Sequence, residues 1–386
     1  MKKKILFVIY NRSNYGRLKP ILEIIKRSNS FELQLVLTSS SVLYKYGDLA
    51  DIIKKDGFKI NYIFFSHIEG ENNVTMTKSV SIIINELTTA FKLLRPNMIV
   101  TIGDRYETMA TGICASFLNI FLIHIQGGEL TSSIDEKVRH SITKLSNLHL
   151  VCTKQAKNIV IQMGEEKNRV FNVGCTSIDL IKKINFKNNI ILSKYKYGVG
   201  NKVDLNKKYI VVLIHPNTLN YKQNLKLVTN TFESIKKLNM QTIWVWPNID
   251  AGSDLMSQFL RTKREKNPTL KINFYKNFQP EDYLKLIYNS ECLVGNTSSG
   301  IRECSYLAIP FVNIGDRQND REKGNNVFDS KIDSKIIRKN IMLAIKSKNK
   351  LKKSKIYGNG NSSVKIVQIL KKIKLDISKK FIILNK

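Results

Sequence analysis

The stretch MIVTIGDRYETMATGICASFLNIFLIHIQGGE, residues 98–129, predicts the fold class. Two short apolar runs, MIVTIG and IFLIHI, flank a segment with helical spacing, YETMATGICASFL. Continuous apolar strands separated by helices are typical of a parallel sheet that is covered on both faces. Polar residues follow each run at once, DRYE after the first and QGGE after the second. The stretch therefore predicts a strand–helix–strand unit with polar groups at the carboxyl ends of its strands.

The same alternation continues along the 386-residue chain in both directions. The predicted strands are ILFVIY, ELQLVLT, LHLVC and VFNVG in the first half, and YIVVLIHP, QTIWVWPN, KINFYKN, ECLVGN and FVNIG in the second. Residues 183–208, which separate the two series, are polar, rich in Lys and Asn, and without clear periodicity, as expected of a domain crossing. We predict an α/β protein with two doubly wound Rossmann-like domains that face each other across a cleft.

The formal net charge of +32 first suggests a nucleic acid partner. Its distribution argues otherwise, because 17 Lys and Arg against three Asp in residues 329–386 supply +14 of it, scattered along helix-like stretches. The sequence has no RNA-binding aromatic motif, zinc-finger spacing or Arg-rich arm. We predict a solvated lysine face, no nucleic acid partner and a charge that suits an anionic small substrate.

The five cysteines are odd in number, widely spaced and mostly within apolar runs, which is a reduced, intracellular pattern. The apolar run from Ile5 to Tyr10 is too short for a signal peptide, and no run reaches the length of a membrane span. These features predict a cytoplasmic protein without a membrane partner.

The stretch GNTSSGIRE combines a strand end, a loop of small residues and a helix start, which together form an anion site. The hydroxyls of Ser298 and Ser299 would add donors, and Gly300 would let a phosphate approach the backbone. Glu303 could accept hydrogen bonds from a ribose diol. An ordinary serine N-cap is the alternative. Since Arg317 follows in the next loop, diphosphate binding is the prediction.

Further polar residues follow other predicted strands: Arg12, Asp104, Arg105, His124, Gln126, Glu129, His215, Asn248, Asp250 and Arg321. Asp104 with Arg105 could also be a structural pair at a helix start, and His124 a core histidine. Asp135 and Glu136 begin a predicted helix, and His140 could share part of their helix face. Two acids at a helix start also complement the helix dipole. Without HExxH, paired CxxC or GxSxG, a zinc hydrolase or serine esterase is not indicated.

Taken together, several of these motifs resemble one family. The chain is similar to the hydrolysing UDP-N-acetylglucosamine 2-epimerases of the branch that feeds sialic and related nonulosonic acid synthesis. The matching stretches are GDRYE, HIQGGE, SSIDEKVRHSITKLSNLH, VGCTSID, WPNIDAGS, VGNTSSGIRE, NIGDRQNDREKGNNV and YGNGNSSVKIVQIL. They occur in the family's order and span nearly the whole chain.

The resemblance implies a GT-B-like fold with residues 1–182 as the domain for the sugar and acid–base chemistry. Residues 183–355 would bind UDP, and the helical segment 356–386 would pack back on the first domain. The implied reaction converts UDP-N-acetylglucosamine and water to N-acetylmannosamine and UDP. UDP leaves by anti elimination, water adds to the resulting 2-acetamidoglucal, and C2 is protonated from the opposite face. The resemblance implies a dimer or tetramer and no metal or redox cofactor.

The resemblance also assigns residues. Asp104, Asp135 and His215 would carry the acid–base steps, with Glu129, Glu136 and Gln126 beside them. The expected substrate-binding residues are Arg12, Arg105, His124, His140, Asn248, Asp250, Ser298, Ser299, Gly300, Glu303, Arg317 and Arg321.

Two positions depart from the family pattern. Many members carry Glu where this chain has Gln126, and an amide cannot take that proton, so Gln126 is expected to face the sugar and bind it by hydrogen bonds. Asn14 stands where the family often has Asp. These departures keep two further substrates open, UDP-2,4-diacetamido-2,4,6-trideoxyglucose and GDP-N-acetylglucosamine, as in legionaminic acid routes. A GT-B glycosyltransferase is another alternative. A nucleic-acid protein is disfavoured, because the acids at the strand ends would repel a phosphate backbone.

Overall fold

The computed structural model of the protein describes residues 2–47, 49–70, 72–132, 134–188, 190–195, 198–219, 221–248 and 250–383. Strands and helices alternate in its first half. They are β1 (Lys3–Ile9), α1 (Arg12–Lys26), β2 (Phe31–Leu37), α2 (Leu49–Lys55), β3 (Tyr62–Ile63), α3 (Asn73–Leu94), β4 (Met98–Ile102), α4 (Thr108–Phe117), β5 (Phe121–Ile125), α5 (Ile134–Leu145), β6 (Leu148–Val151), α6 (Lys154–Gln162), β7 (Val170–Asn172) and α7 (Thr176–Lys182).

The strands of the first half form a sheet in the order β3-β2-β1-β4-β5-β6-β7, with every described pairing parallel. Strands β4 and β5 are buried along their whole length, because helices cover both faces of the sheet. The strand order reverses between β1 and β4, so the loops after these strands diverge and leave a crevice at the carboxyl edge.

The second half repeats this architecture. Its elements are β8 (Val199–Gly200), β9 (Tyr209–Leu213), α8 (Tyr221–Leu238), β10 (Gln241–Val245), α9 (Ser253–Lys266), β11 (Ile272–Tyr275), α10 (Pro280–Asn289), β12 (Leu293–Gly295), α11 (Ser298–Ile301), α12 (Glu303–Leu307), β13 (Phe311–Ile314), β14 (Val327–Ser330), α13 (Ser334–Ser347) and α14 (Ser362–Lys372). The sheet order is β14-β13-β12-β9-β10-β11-β8, parallel except for the β11–β8 pair. The predicted fold class of two Rossmann-like domains is confirmed.

Polar caps fix where several helices begin after their strands. The side chain of Asn11 accepts a hydrogen bond from the backbone N–H of Asn14 at the start of α1, at 2.8 Å. Thr153 caps α6 in the same way, and Asp333 caps α13. Such side-chain acceptors satisfy backbone donors that have no partner within the helix. The chain therefore turns sharply from strand to helix at the carboxyl edge of each sheet.

The helix α14 packs on the first domain, although it follows the whole second domain in sequence. Ile366, Val367 and Leu370 are buried in the same apolar core as β1 and α1. The carboxylate of Asp179 in α7 accepts hydrogen bonds from the backbone of Ser362 and Ser363, at 3.0 and 2.6 Å. The chain thus crosses between the two domains twice.

Three short strands were not predicted from the sequence, namely β3, β8 and β14. Strands β3 and β8 have two residues each, too few to show a periodicity. Strand β8 lies inside the polar segment 183–208 and pairs antiparallel with the edge strand β11. Part of the predicted domain crossing therefore belongs to the second sheet. Within the described residues, no helix is long and apolar enough to cross a membrane.

Candidate functional site

A cleft of about 760 Å³ separates the carboxyl edges of the two sheets. This volume is within the range of small-molecule sites. Twelve of the predicted site residues border it: Arg12, Asp104, Arg105, Asp135, His215, Asn248, Asp250, Ser298, Ser299, Glu303, Arg317 and Arg321. They come from both domains because parallel strands direct their following loops to one edge.

Asp104 lies in this cleft between two arginines. Its carboxylate accepts hydrogen bonds from Arg139, through Nε at 3.1 Å and through Nη2, and from Arg321 Nη2 at 3.3 Å. Burial alone would raise the pKa of Asp104, but the charges of Arg139 and Arg321 outweigh it and hold that pKa far below its usual range. Asp104 is thus a fixed negative charge at neutral pH.

The pKa of Asp135, at the start of α5, is shifted in the opposite direction. Burial and the negative charge of Asp104 raise the pKa of Asp135 above its ordinary value, although Arg317 opposes the shift. Its Oδ2 accepts a hydrogen bond from Arg317 Nη2 at 3.2 Å. Two nearby carboxylates whose environments push their pKa values apart can divide the roles of fixed charge and proton carrier.

His215 follows β9, and its surroundings favour the neutral imidazole. Burial, with the positive charge of Arg317 second, lowers the pKa of His215 to about 3. Among the residues that the structure describes, its Nδ1 has no hydrogen-bond partner although it is buried. A neutral imidazole can donate or accept a hydrogen bond without carrying charge.

Ion pairs join the two domains across the cleft. Arg105 of the first domain contacts Asp250 of the second at 2.8 Å, and Asp135 contacts Arg317 at 3.2 Å. Asn248 donates to the other oxygen of Asp250 at 2.5 Å. The pKa of Asp250 is lowered, because Arg105 and Arg317 outweigh the effect of burial. The domains are therefore close together in this structure.

Glu129 does not border the cleft but links the domains beneath it. Both of its oxygens accept from Arg302 Nη2, at 2.7 and 2.6 Å, and Oε2 also accepts from Arg321. Burial alone would raise the pKa of Glu129, but Arg302 and Arg321 lower it to about 2. Glu129, expected beside the acid–base residues, is a buried structural anion.

The turn HIQGGE is explained mainly by packing. A Cβ on Gly127 would meet His124 Nδ1 at 2.9 Å, and one on Gly128 would lie 2.3 Å from the carbonyl oxygen of Ala156. Gln126 has φ of +71°, a left-handed backbone that is uncommon for residues other than glycine. Its side chain is 1% exposed and lies behind the cleft wall. Gln126 therefore does not border the cleft in this structure, and its expected contact with the sugar stays a prediction.

His124 and His140, expected as substrate contacts, do not border the cleft in this structure and hydrogen bond to neighbouring groups instead. His124 is fully buried between Thr143 Oγ1, at 3.1 Å, and the carbonyl oxygen of Gly103, at 2.8 Å. Burial lowers the pKa of His124 to about 3. His140 Nε2 pairs with Glu136 Oε1 at 2.8 Å on one face of α5.

Glu136 is held in the same way. Its other oxygen accepts from the backbone of Thr131 at 2.6 Å and from Arg139 at 3.0 Å. Burial opposes ionisation, but hydrogen bonds from His140 and Thr131 lower the pKa of Glu136. It fixes the start of α5, which carries Asp135.

The loop after β12 presents Ser298 and Ser299 to the cleft. Helix α11 has only four residues and is separated from α12 by Arg302, so the expected helix dipole is weak. Arg17 Nη2 donates to Ser298 Oγ at 3.1 Å. Arg317 Nη1 contacts the carbonyl oxygen of Asn296 at 3.2 Å. The anion-attracting charge at this loop is therefore supplied by arginines.

Gly300 is required for a different reason than expected. A Cβ on Gly300 would lie 2.3 Å from the ring of Phe311, so its Cα packs directly on β13. Gly300 is not among the described residues that border the cleft. Its role is close packing of α11 on the second sheet.

We expect Gly300→Ala to lower the free energy of unfolding by about 1–3 kcal/mol, because the methyl group overlaps a buried aromatic ring. Urea unfolding would measure this change. Gly112→Ala is the matched control, because the nearest atom to its Cβ would be the flexible end of Leu145, Cδ1 at 3.2 Å, and the next contacts lie at 3.7 and 3.9 Å. Equal costs for the two variants would contradict the packing role.

Three arginines were missed in the sequence: Arg17, Arg139 and Arg302. Arg139 and Arg302 are buried, at 0% and 2% exposure. Both lie within quoted motifs, Arg302 next to Glu303 and Arg139 three residues after Glu136. For Arg139, a charged residue on the buried face of α5 was the available signal, because such a residue needs a partner.

Among the residues that the structure describes, no group of three or more His, Cys, Asp or Glu side chains could hold a metal ion.

The chain is similar to known proteins along nearly its whole length. A family model described as UDP-N-acetylglucosamine 2-epimerase matches residues 23–371. The UDP-N,N'-diacetylbacillosamine 2-epimerase (hydrolyzing) of Legionella pneumophila is 31% identical over 379 residues, covering 97% of both chains. The GDP/UDP-N,N'-diacetylbacillosamine 2-epimerase (hydrolyzing) of Campylobacter jejuni is 32% identical over 333 residues, covering 86% of this chain and 85% of that protein.

A solved structure has the same fold. The UDP-GlcNAc 2-epimerase of Methanocaldococcus jannaschii, in complex with UDP-GlcNAc and UDP, superposes with a TM-score of 0.79 at 19% identity. The superposition covers 96% of this chain and 99% of that one.

Proposed function

Because the chain belongs to the UDP-N-acetylglucosamine 2-epimerase family, we propose that it is a hydrolysing 2-epimerase of a nucleoside diphosphate-linked 2-acetamido sugar. The observation that supports this proposal is the cleft itself. It places a carboxyl group of raised pKa, Asp135, opposite hydroxyls and arginines that suit a diphosphate. The products would be the free 2-epimeric sugar and the nucleoside diphosphate.

The reaction requires two kinds of assistance. The proton on C2 of the sugar is weakly acidic, so its removal requires a positioned base. The diphosphate leaves C1 with its negative charge, so donors and cations must stabilise the departing group. Water then adds to C1 of the unsaturated sugar, and C2 takes a proton from the opposite face. A cleft between two domains can exclude bulk water during these steps.

We assign the removal of the C2 proton to Asp135. Its raised pKa suits a group that gains and loses a proton during turnover. Asp104, fixed by Arg139 and Arg321, would remain charged and keep the pKa of Asp135 raised. His215, with its free Nδ1, would serve as a neutral hydrogen-bond partner of the substrate.

We expect Asp104→Asn to move the acid limb of the pH profile of kcat/KM to lower pH. The base must be ionised, so activity falls as pH drops through the raised pKa of Asp135. Removing the negative charge of Asp104 lowers that pKa, because this charge is one of the causes of the shift. A pH–rate profile of both proteins measures the change. An unmoved limb, or one moved upward, would contradict the coupling of the two acids.

The diphosphate would lie at Ser298 and Ser299, beside Arg17 and Arg317. Glu303, buried at the cleft wall, has one oxygen without a hydrogen-bond partner among the described residues. That oxygen could accept from a ribose hydroxyl. These groups recognise a nucleoside diphosphate and do not by themselves select the sugar.

We expect the double variant Ser298→Ala with Ser299→Ala to weaken UDP binding by about tenfold or more, since hydrogen bonds to charged groups contribute about 1.5–3 kcal/mol each. Calorimetry with UDP and with uridine would separate the diphosphate from the nucleoside. Uridine affinity should stay unchanged. Unchanged UDP affinity would remove this loop from the proposed site.

The identity of the sugar is a separate part of the proposal. Both similar epimerases above are named for N,N'-diacetylbacillosamine, the 2,4-diacetamido-2,4,6-trideoxy sugar, so its UDP form is the first substrate to test. UDP-N-acetylglucosamine is the second, because the family carries its name. GDP-linked sugars form the third group, since one of the two similar epimerases is named for both nucleotides. The product would enter nonulosonic acid synthesis.

Proton NMR in D2O tests the function directly. Release of the free 2-epimer with deuterium at C2, together with the nucleoside diphosphate, is the expected result for one of these substrates. Asp135→Asn serves as the inactive control in the same assay. Retention of the C2 proton would contradict elimination. If none of the nucleotide sugars reacts, the proposed activity fails, and the glycosyltransferase alternative is tested with acceptor sugars.

A further inference from the structure

Gln318, in the loop after β13, borders the cleft beside Arg317. Its side chain is 2% exposed, and its Nε2 donates to the carbonyl oxygen of Asn296 at 3.1 Å. Within the described residues, the Oε1 atom of Gln318 is buried and has no hydrogen-bond partner. Buried polar atoms are nearly always hydrogen bonded, so this oxygen requires an explanation.

The orientation of this amide is fixed by chemistry. A backbone carbonyl oxygen can only accept, so the group of Gln318 that faces Asn296 must be its NH2. The atom that remains is therefore an acceptor, and its missing partner must carry an O–H or N–H group. An ionised diphosphate has no such proton, which excludes it as the partner of this oxygen.

An unpaired amide oxygen does not by itself indicate a binding site. Gln34 on β2 has the same pattern, because its Nε2 donates to the carbonyl oxygen of Leu94 at 3.0 Å and its Oε1 is unpaired within the described part of the chain. Gln34 is not among the described residues that border the cleft, whereas Gln318 is. The position of Gln318 therefore points to a ligand as the missing partner.

Asn296 links Gln318 to residues that would act on the sugar. The side chain of Asn296 is 1% exposed and hydrogen bonds to the backbone N–H and carbonyl oxygen of His215, at 2.7 and 2.8 Å. The carbonyl oxygen of Asn296 also accepts from Arg317 Nη1 at 3.2 Å. Arg317 Nη2 donates to Asp135 at 3.2 Å. Gln318 is thus joined through one carbonyl oxygen to the arginine that contacts the proposed base.

We propose that the carbonyl oxygen of Gln318 accepts a hydrogen bond from the N–H of the 2-acetamido group of the substrate. The inference rests on the proposed function, in which Asp135 faces C2, the carbon that bears this group. Side chains beside Asp135 therefore face the acetamido substituent, whose N–H is the proton donor closest to C2. Gln318 selects substrates with an amide at C2 and holds that amide beside the base.

The test compares two ligands that differ at C2. UDP-N-acetylglucosamine carries the acetamido group, whereas UDP-2-deoxyglucose lacks it and retains the nucleotide and the rest of the sugar. Both are titrated by calorimetry into Asp135→Asn, in which turnover of the first ligand is not expected. Adding Gln318→Met should weaken binding of UDP-N-acetylglucosamine by about five- to tenfold, because the bound N–H is left without its acceptor. Affinity for UDP-2-deoxyglucose should not change.

Gln34→Met is the matched control, because it removes an equally buried amide with the same pairing away from the cleft. It should leave both affinities as they are in Asp135→Asn alone. When Gln318 is replaced, the carbonyl oxygen of Asn296 keeps Arg317 as a donor, so the backbone at this point stays paired. If the wild type turns over only UDP-2,4-diacetamido-2,4,6-trideoxyglucose, that sugar replaces UDP-N-acetylglucosamine, since it carries the same group at C2.

If Gln318→Met fails to fold, Gln318→Ala replaces it, and the same difference between the two ligands is expected. Equal losses of affinity for both ligands, or no loss for the acetamido sugar, would overturn the inference, because a purely structural residue or a bound water would not distinguish the group at C2. Failure of the wild type to bind any of the nucleotide sugars would instead contradict the proposed function itself.

Discussion

Asp135→Asn is expected to lower kcat by about 10²- to 10⁴-fold, the usual contribution of a positioned acid–base group. The amide cannot exchange a proton with C2, while the shape and burial of the side chain are retained. UDP should bind at least as tightly as to the wild type, because Arg317 loses the carboxylate that it contacts at 3.2 Å. Single-turnover rates and UDP calorimetry measure the two effects.

Deuterium exchange provides a second readout for this variant. If Asp135 removes the C2 proton, the variant should neither release product nor exchange that proton with D2O. Lys19→Met is a suitable control, since Lys19 pairs with Asp56 and Glu281 outside the cleft wall. Wild-type turnover in Asp135→Asn would transfer the proton chemistry to another group.

Glu129→Gln is expected to lower the free energy of unfolding by about 3–5 kcal/mol, the cost of leaving buried charges without their partner. Arg302 loses the only carboxylate that it contacts within the described residues, and Arg321 keeps only Asp104. Urea unfolding followed by tryptophan fluorescence and by circular dichroism would measure the loss.

The same variant should also separate the domains, because Glu129 belongs to the first and both arginines to the second. An increased radius of gyration in small-angle scattering is the expected sign. Glu281→Gln is the matched control, since Lys19 and Glu281 also pair across the domains but are partly exposed, so roughly 0–1 kcal/mol is expected. Equal losses of unfolding free energy in the two variants would show that the buried ion pairs of Glu129 contribute no more to stability than the partly exposed pair of Glu281.

The fold and the edge of the sheet that bears the cleft were predictable from the sequence. Parallel strands direct their following loops to one edge, so residues as distant as Asp104 and Ser298 could be assigned to one site. The predictions of a homo-oligomer, a cytoplasmic location and no cofactor stay predictions.

Which side chains at that edge enter the cleft and which are buried beneath it was not predictable from the sequence. A motif such as HIQGGE places adjacent residues on opposite sides of the strand end, and only tertiary contacts decide which side chain enters the cleft. His124 was predicted to bind substrate and Glu129 to lie beside the acid–base residues, although the structure buries both. Their partners, Thr143 and Arg302, lie 19 and 173 positions away in the sequence, and no local sequence pattern predicts such contacts.

The return of α14 to the first domain determines the order in which the protein can mature. During synthesis, the first sheet leaves the ribosome long before Ile366, Val367 and Leu370, so an apolar surface on α1 stays uncovered while the second domain is made. Such a surface is prone to aggregation until it is covered. The final packing of the first domain is therefore coupled to completion of the second domain.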